Sequence, residues 1–305
     1  MKPGYVGLAE QGEIKERIEI LTRHYSECSL CPHQCKVNRV KNETGKCRSG
    51  IHAKVASYNV HHGEEPPISG FAGSGTIFFA GCSGRCIFCQ NYPISQLNNG
   101  ISVSDERLAD MMLDLQGRGC HNINLVTPTH FLPSIVRALS IAALSGLRVP
   151  IVYNTSGYER ADIIRLMKGI IDIYLPDCKY ADDNSAFALS GFRDYVFHNR
   201  TSLKEMFNQV GNLRIINGIA VKGLLVRHLI LPEKLAGTHE VMKFLSQEIS
   251  PNLYVSMMDQ YFPAYRALNH TILSRRISVE EYNESLDSFN TSGLHKGWIQ
   301  EHLTN

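Results

Sequence analysis

The sequence predicts an α/β fold: a partial (β/α)6 TIM-like barrel preceded by a small N-terminal cysteine-rich module. Three observations predict it. Six short apolar, β-rich runs recur after Gly75, helical patterns fill the spaces between them, and nearly every run ends in a polar or reactive cluster. Unbroken apolar runs suit strands buried on both faces of a parallel sheet. Repeated β-α units close such a sheet toward a barrel.

Taken in order, residues 13–22 form an amphipathic helix with Ile14, Ile18 and Leu21 on one face. A polar, cysteine-bearing stretch follows to about Gly50, and residues 63–75 are rich in Gly, Pro and Ser, which reads as loop and linker. The domain boundary is therefore expected there, with residues 1–62 as the module and 63–305 as the barrel domain. The six strands are expected at 76–80, 123–126, 149–153, 170–175, 224–231 and 253–258, and helices at 104–117, 131–146 and 202–210. Ser104 is placed to cap the first of these helices. Ser278-Val-Glu-Glu281 reads as a capping box, with Ile277 and Tyr282 as its hydrophobic staple. A complete barrel has eight strands, so an open doubly wound sheet is the alternative. The barrel is favoured because Cys82–Cys86, Thr127–His130, Asn154–Gly157, Asp177–Lys179 and Asp259-Gln260 all follow strands. Barrels collect their chemistry at that end.

The 305 residues carry 31 basic and 29 acidic side chains, a net charge of +2. That balance makes no global case for binding nucleic acid or an anionic membrane. No apolar run approaches the ~20 residues of a membrane span, and the N-terminus lacks the apolar stretch of a signal peptide. A cytoplasmic location is expected. The nine cysteines are an odd, clustered set, with seven between residues 28 and 89. Such a pattern argues for metal rather than disulfides.

Cys82-x3-Cys86-x2-Cys89 follows the first barrel strand and Gly81, which lets the chain turn. Three thiolates on one tight loop can each reach a different iron of a cubane. One iron is then left without a local protein ligand, and an open metal position can take substrate or cofactor. A zinc knuckle borrowing Cys120 or Cys178 is the competing reading. Cys28-x2-Cys31-x3-Cys35-x11-Cys47 supplies four more thiolates, with Pro32 stiffening the turn and Gly45 permitting a tight return. Four cysteines describe a closed site, either tetrahedral zinc, which is slightly favoured, or a second Fe–S cluster. The basic residues around them also permit a non-catalytic zinc module that binds nucleic acid or protein, although few aromatics interleave with the charges. The segment His61-His62-Gly63-Glu64-Glu65 has side chains that could ligate metal, but a solvated polar loop is the expectation.

The Gly81-Cys-x3-Cys-x-Phe-Cys89 segment resembles the radical S-adenosylmethionine (SAM) signature. The flanking Gly73–Cys82, Cys89–Ser95, Asn124–His130, Asn154–Tyr158, Asp172–Lys179 and Arg227–Pro232 are similar to pyruvate formate-lyase activating enzymes and their homologues, in a standalone subgroup with an N-terminal Cys-x2-Cys-Pro. The resemblance implies a [4Fe-4S] cluster on Cys82, Cys86 and Cys89 and an open iron that chelates SAM. Reductive cleavage then gives methionine and a 5′-deoxyadenosyl radical, which abstracts hydrogen. It further implies that Phe88 lies near the adenine and that Asn154, Ser156, Asp177 and Lys179 line the SAM pocket. Arg227 is the expected carboxylate partner, since a guanidinium fork matches a carboxylate. The implied partners are a glycyl radical enzyme as substrate and a flavodoxin- or ferredoxin-type electron donor. A small molecule or another protein side chain is the alternative substrate. Two departures stand out: Thr127-Pro-Thr-His130 occupies the place of a Gly-Gly-Glu segment, and Gly84 sits where a bulky residue is common.

Overall fold

Chain order and sheet order run together from Ser74 onward, as a string of β-α units requires. In the computed structural model, which describes residues 2–301, the strands are β1 (Lys54–His61), β2 (Ser74–Phe79), β3 (Ile101–Ser102), β4 (Ile123–Val126), β5 (Ile151–Thr155), β6 (Ile173–Pro176), β7 (Arg214–Ile216), β8 (Ile219–Leu229), β9 (Tyr254–Met258) and β10 (Lys296–Ile299). They form one sheet of order β10-β9-β8-β6-β5-β4-β2-β1-β3, with β7 as a hairpin partner of β8. Every pairing from β2 to β10 along this path is parallel, and β1 pairs antiparallel with both β2 and β3. All six predicted strands are present. The count needs correcting, because β10 adds a seventh parallel strand and β1 and β3 extend the opposite end.

Side chains alternate across each strand, and the two faces bury different clusters. Val152, Ile173, Leu175 and Leu225 face inward and meet Ile68, which the short helix Pro66–Ser69 carries beneath the barrel. Their neighbours Ile123, Tyr153, Tyr174, Leu224 and Val255 face outward into the larger core, together with helices Asp105–Gly117 and Leu132–Leu144. Burial on both faces is why these strands read as unbroken apolar runs.

Helix Ile14–Arg23 buries Ile14 and Leu21, as its pattern predicts, against Leu132–Leu144. Tyr5, Ile14, Leu21, Tyr25 and Leu30 belong to the same core as the barrel strands. The hydroxyl of Ser104 accepts from the Arg107 N–H, and Ser278 and Glu281 close the capping box. No helix among the described residues is long and apolar enough to cross a membrane.

Candidate active site

Gly81, with φ +79, turns the chain out of β2 and into the three-cysteine loop. A side-chain carbon there would lie 2.6 Å from the Cys47 carbonyl oxygen. Each of the three sulfurs has its own polar neighbour. The Gly84 N–H donates to Cys82 Sγ at 3.2 Å, the Ser190 hydroxyl donates to Cys86 Sγ at 3.0 Å, and Ser95 Oγ lies 3.0 Å from Cys89 Sγ. Burial pushes the Cys82 thiol up to about 12 and the Cys86 thiol up to about 11, and the neighbouring thiols add to the effect. Thiols in such a place stay protonated until a metal displaces the proton. Gly84 is explained by Phe192, whose Cζ would stand 2.8 Å from a side-chain carbon at residue 84. Phe88 is buried, with its ring edge-on to Tyr261 at 5.9 Å.

Lys179 and Asp177 follow β6 and form an ion pair at 2.6 Å, both largely buried. Burial works against the Lys179 charge, but Asp177 and the Cys86 and Cys89 thiols outweigh it and hold its pKa above the usual value. A cation therefore stands beside the cysteine loop, paired with Asp177. Asn154 is half-buried beside Leu175 of β6, on the same face of β5 as Val152. The Ser156 carbonyl accepts from the Tyr195 hydroxyl at 3.1 Å. Asp177 bridges to Arg227 of β8 through the backbone, and the Cys178 N–H donates to the Arg227 carbonyl at 2.8 Å. The ends of β2, β5, β6 and β8 thus gather these groups at one end of the sheet.

Arg227 is closed on two carboxylates. Its guanidinium donates to Glu65 at 2.8 and 2.6 Å and also binds Glu64, while Asn124 Nδ2 donates to Glu64 Oε1 at 2.9 Å. Burial alone would raise the Glu65 pKa, yet Arg227 holds it below the usual carboxylate range. This corrects the solvated-loop expectation at Glu64 and Glu65, whose side chains are only 6% exposed, while His62 and Gly63 remain exposed. The available signal was Arg227 itself. A guanidinium inside an apolar strand must find a buried counter-charge.

At the end of β4, Thr127 adopts φ +58 and its N–H donates to the Asn154 carbonyl at 2.9 Å. The Thr129 hydroxyl donates to Glu159 Oε1 at 2.6 Å, and Thr155 donates to the same oxygen. Glu159 is fully buried, and among the described residues its Oε2 has no hydrogen-bond partner. Sequence reasoning passed over this residue. His130 Nε2 meets the Ala80 carbonyl at 2.9 Å, and His228 lies between the Cys178 carbonyl and Thr238 Oγ1 at 2.6 and 3.0 Å. Burial depresses both imidazoles, His130 to about 3 and His228 to about 4, so both are neutral packing partners.

Burial pushes the Cys31 thiol well above its ordinary range, and the Cys47, Cys28 and Cys35 thiols add to the effect. Gly45 lets two limbs of the segment close together, because a side-chain carbon there would lie 2.7 Å from Cys35 Sγ. Among the described residues, however, no three His, Cys, Asp or Glu side chains are gathered to hold one metal ion. The tetrahedral zinc reading finds no support in this donor geometry. The cysteine group nevertheless lies against the barrel: His33 Nε2 meets the Ser83 carbonyl at 2.8 Å, inside the three-cysteine loop.

A partial parallel barrel with three cysteines on the loop after its first parallel strand defines an enzyme class that binds its cofactor at the strand ends. The chain belongs to the radical SAM superfamily, whose profile matches residues 76–245. That family implies a [4Fe-4S] cluster and SAM, and the donor set fits: three thiols on one loop, each with a polar partner. The chain is 30% identical over 287 residues to the uncharacterized protein MJ0674 of Methanocaldococcus jannaschii, covering 89% of this chain and 76% of that protein. Among solved structures it is similar to HydG, a maturase of the [FeFe]-hydrogenase (13% identity, TM-score 0.46), covering 73% of this chain and 50% of that one. It is also similar to methylornithine synthase PylB (15% identity, TM-score 0.47), covering 72% and 62% of the two chains.

Proposed function

We propose that this chain cleaves SAM reductively at a [4Fe-4S] cluster held by Cys82, Cys86 and Cys89, and that the resulting radical takes hydrogen from a glycyl residue of a partner enzyme. The observation that carries the reading is the three-thiol loop after β2 with Lys179 and Asp177 beside it. When bound, the cluster and SAM supply the electron transfer and the 5′-deoxyadenosyl radical. The residues of this chain bind and orient. Lys179 offers its charge to the SAM carboxylate, and Asp177, Asn154 and Ser156 offer acceptors to its amino group and ribose. Phe88 backs the adenine. Arg227 acts as a positioning residue, because its fork already holds Glu64 and Glu65. A flavodoxin- or ferredoxin-type donor in the cytoplasm would supply the electron.

Two features support a macromolecular substrate. The residues quoted above resemble the activating-enzyme branch, and among the described residues the sheet ends at β10 and β3 without pairing one to the other, which suits a lateral opening. One observation favours a second reading, a small polar substrate held inside the barrel. Among the described residues Asn124 Oδ1 is buried without a partner beside the Glu64–Arg227 pair. Anaerobic incubation with SAM, reductant and a candidate glycyl radical enzyme separates the two. The expected result is a partner-borne glycyl radical doublet in the EPR spectrum, formed with methionine and 5′-deoxyadenosine. SAM cleavage that no such partner stimulates would reject the glycyl reading and leave the small-molecule one.

A further inference from the structure

We propose, resting on the radical SAM reading above, that the outer face of the three-cysteine loop is the docking surface for an acidic one-electron donor protein. Lys46, Arg48, Arg193 and Arg266 receive that partner.

The first observation is where unpaired cations stand. Lys46 and Arg48 flank Cys47, whose carbonyl packs on Gly81 at the start of the loop. Arg85 lies inside the loop, and its Nη1 donates to Gln96 Oε1 at 3.3 Å, while Arg48 donates to the backbone carbonyl of the same glutamine. Arg193 follows Phe192, whose ring packs on Gly84, and the Arg266 N–H donates to the Ile87 carbonyl at 2.9 Å. Arg85 is half-buried and the other four are exposed. Among the described residues none of the five forms an ion pair with a carboxylate. Asp194 adjoins Arg193 without pairing with it, and Glu43 accepts from the Asn38 N–H. Other surface cations are treated differently: Arg118, Lys204, Lys234 and Arg275 each hold a carboxylate within 3.0 Å. With 31 basic and 29 acidic residues the chain is close to neutral, so the surplus here is local. A field of one sign over one surface steers a partner of the opposite charge.

The second observation is what lies between the cations. Leu97, Phe187 and Leu268 are 55%, 53% and 62% exposed, far more than apolar side chains need to be in a chain with a large core. Leu97 follows Gln96, the Arg193 guanidinium lies 5.7 Å over the Phe187 ring, and Leu268 is two residues beyond Arg266. Arg266 in turn lies 5.2 Å over Tyr265, which stacks on Tyr92 at 5.1 Å. Arginine set among aromatic and aliphatic side chains is the composition of a protein interface. A small anion would need only the charges.

The third observation is the side from which the cations come. Asn154, Asp177 and Lys179 reach the site from the ends of β5 and β6. The five cations belong to residues 46–48, to the loop itself, to the connection between helices Asp183–Ser190 and Tyr195–Val210, and to the short helix Tyr265–Asn269. All of these segments lie outside the parallel strands. A donor seated on them meets the loop without entering the barrel, where SAM and substrate are held.

The electron balance is simple. In the complex the donor protein is oxidised by one electron, and the site on Cys82, Cys86 and Cys89 is reduced by one. No bond forms or breaks in that transfer, and no proton moves. The electron is then consumed in the cleavage of SAM.

The test uses full-length protein purified anaerobically, with an acidic flavodoxin as the probe. Calorimetry follows binding of the oxidised flavodoxin, and stopped-flow absorbance follows oxidation of the reduced form. Ionic strength is raised from about 0.01 M to about 1 M, over which the screening length falls from about 30 Å to about 3 Å. For the wild type, affinity and oxidation rate should both fall by about tenfold or more. Lys46→Glu, Arg193→Glu and Arg266→Glu should each weaken binding and slow oxidation at low salt, and the triple variant should lose the salt dependence. Arg266→Lys should keep wild-type binding, and so should Arg214→Glu on the exposed strand β7. Wild-type binding and oxidation that ignore salt would overturn the proposal, whether or not any variant folds. Equal losses in Arg214→Glu would overturn it too, since net charge and not this surface would then decide. Charge-reversed variants that bind flavodoxin normally but fail on a glycyl radical enzyme would give the surface to the substrate partner instead. Salt-dependent oxidation of flavodoxin with no SAM cleavage would uphold the docking surface and sink the radical SAM reading.

Discussion

Glu159 shows how a single carboxylate behaves when the fold buries it among hydroxyl donors and offers no cation. It sits between Thr129 and Thr155, with Oε2 unpartnered among the described residues, and burial raises its pKa to about 7. The carboxyl is favoured in the neutral form, so its contribution to stability is full below the ordinary 4.5 and is lost as pH rises through about 7. The interval corresponds to roughly 3 kcal/mol. Glu159→Gln should therefore flatten the decline in thermal stability between pH 5 and pH 8 that the wild type shows. Parallel melting curves for the two proteins across that range would refute this. Residue identity alone hid Glu159, because Tyr158-Glu159-Arg160 looks like ordinary surface polarity and only the return of Thr129 against β5 buries it. Arg227 was legible as chemically important, but its partners were not. Glu64 and Glu65 reach it across 163 and 162 residues, a distance that local pattern does not encode.

At the scale of elements, what the sequence revealed is what is decided locally. The capping box at Ser278 closes as the spacing requires, with both reciprocal hydrogen bonds present. Ser278→Ala should destabilise the protein by about 1 kcal/mol. Chemical denaturation reads that loss as a lower midpoint at unchanged slope, and an unchanged midpoint would mean that the cap carries no weight. The long parallel strands were legible for a related reason, since burial on both faces leaves an apolar run whatever the neighbours are. β1 was missed because it lies at the antiparallel end, where half-exposed positions dilute the pattern. β10 was missed because four residues containing a glycine at φ +146 carry almost no strand signal. The β7–β8 hairpin did have a signal. Asn217 and Gly218 both take positive φ, the turn that an Asn-Gly pair favours. It went unread beside the stronger apolar run that follows.

At the scale of the whole molecule, one arrangement explains the placement of nearly every reactive side chain. The parallel strands deliver Cys82, Asn154, Asp177 and Arg227 to one end of the sheet, and the N-terminal segment touches the three-cysteine loop through His33 and Cys47. The barrel half of this arrangement was legible, because strand ends followed by reactive clusters are a local pattern repeated several times. The contact of His33 with Ser83, and of Cys47 with Gly81, was not. Arg39 likewise ties Gly50 to His130 across 91 residues, a tertiary contact with no trace in spacing.

The central claim is that Cys82, Cys86 and Cys89 carry the cluster at which SAM is cleaved. The direct measurement is 5′-deoxyadenosine formed from SAM by anaerobic, dithionite-reduced protein, comparing wild type with Cys82→Ala, Cys86→Ala and Cys89→Ala. Circular dichroism confirms that each variant remains folded. Wild type should form 5′-deoxyadenosine and methionine in equal amounts, and each folded variant should form none above background. Cleavage that persists in any one of the three variants would contradict the account.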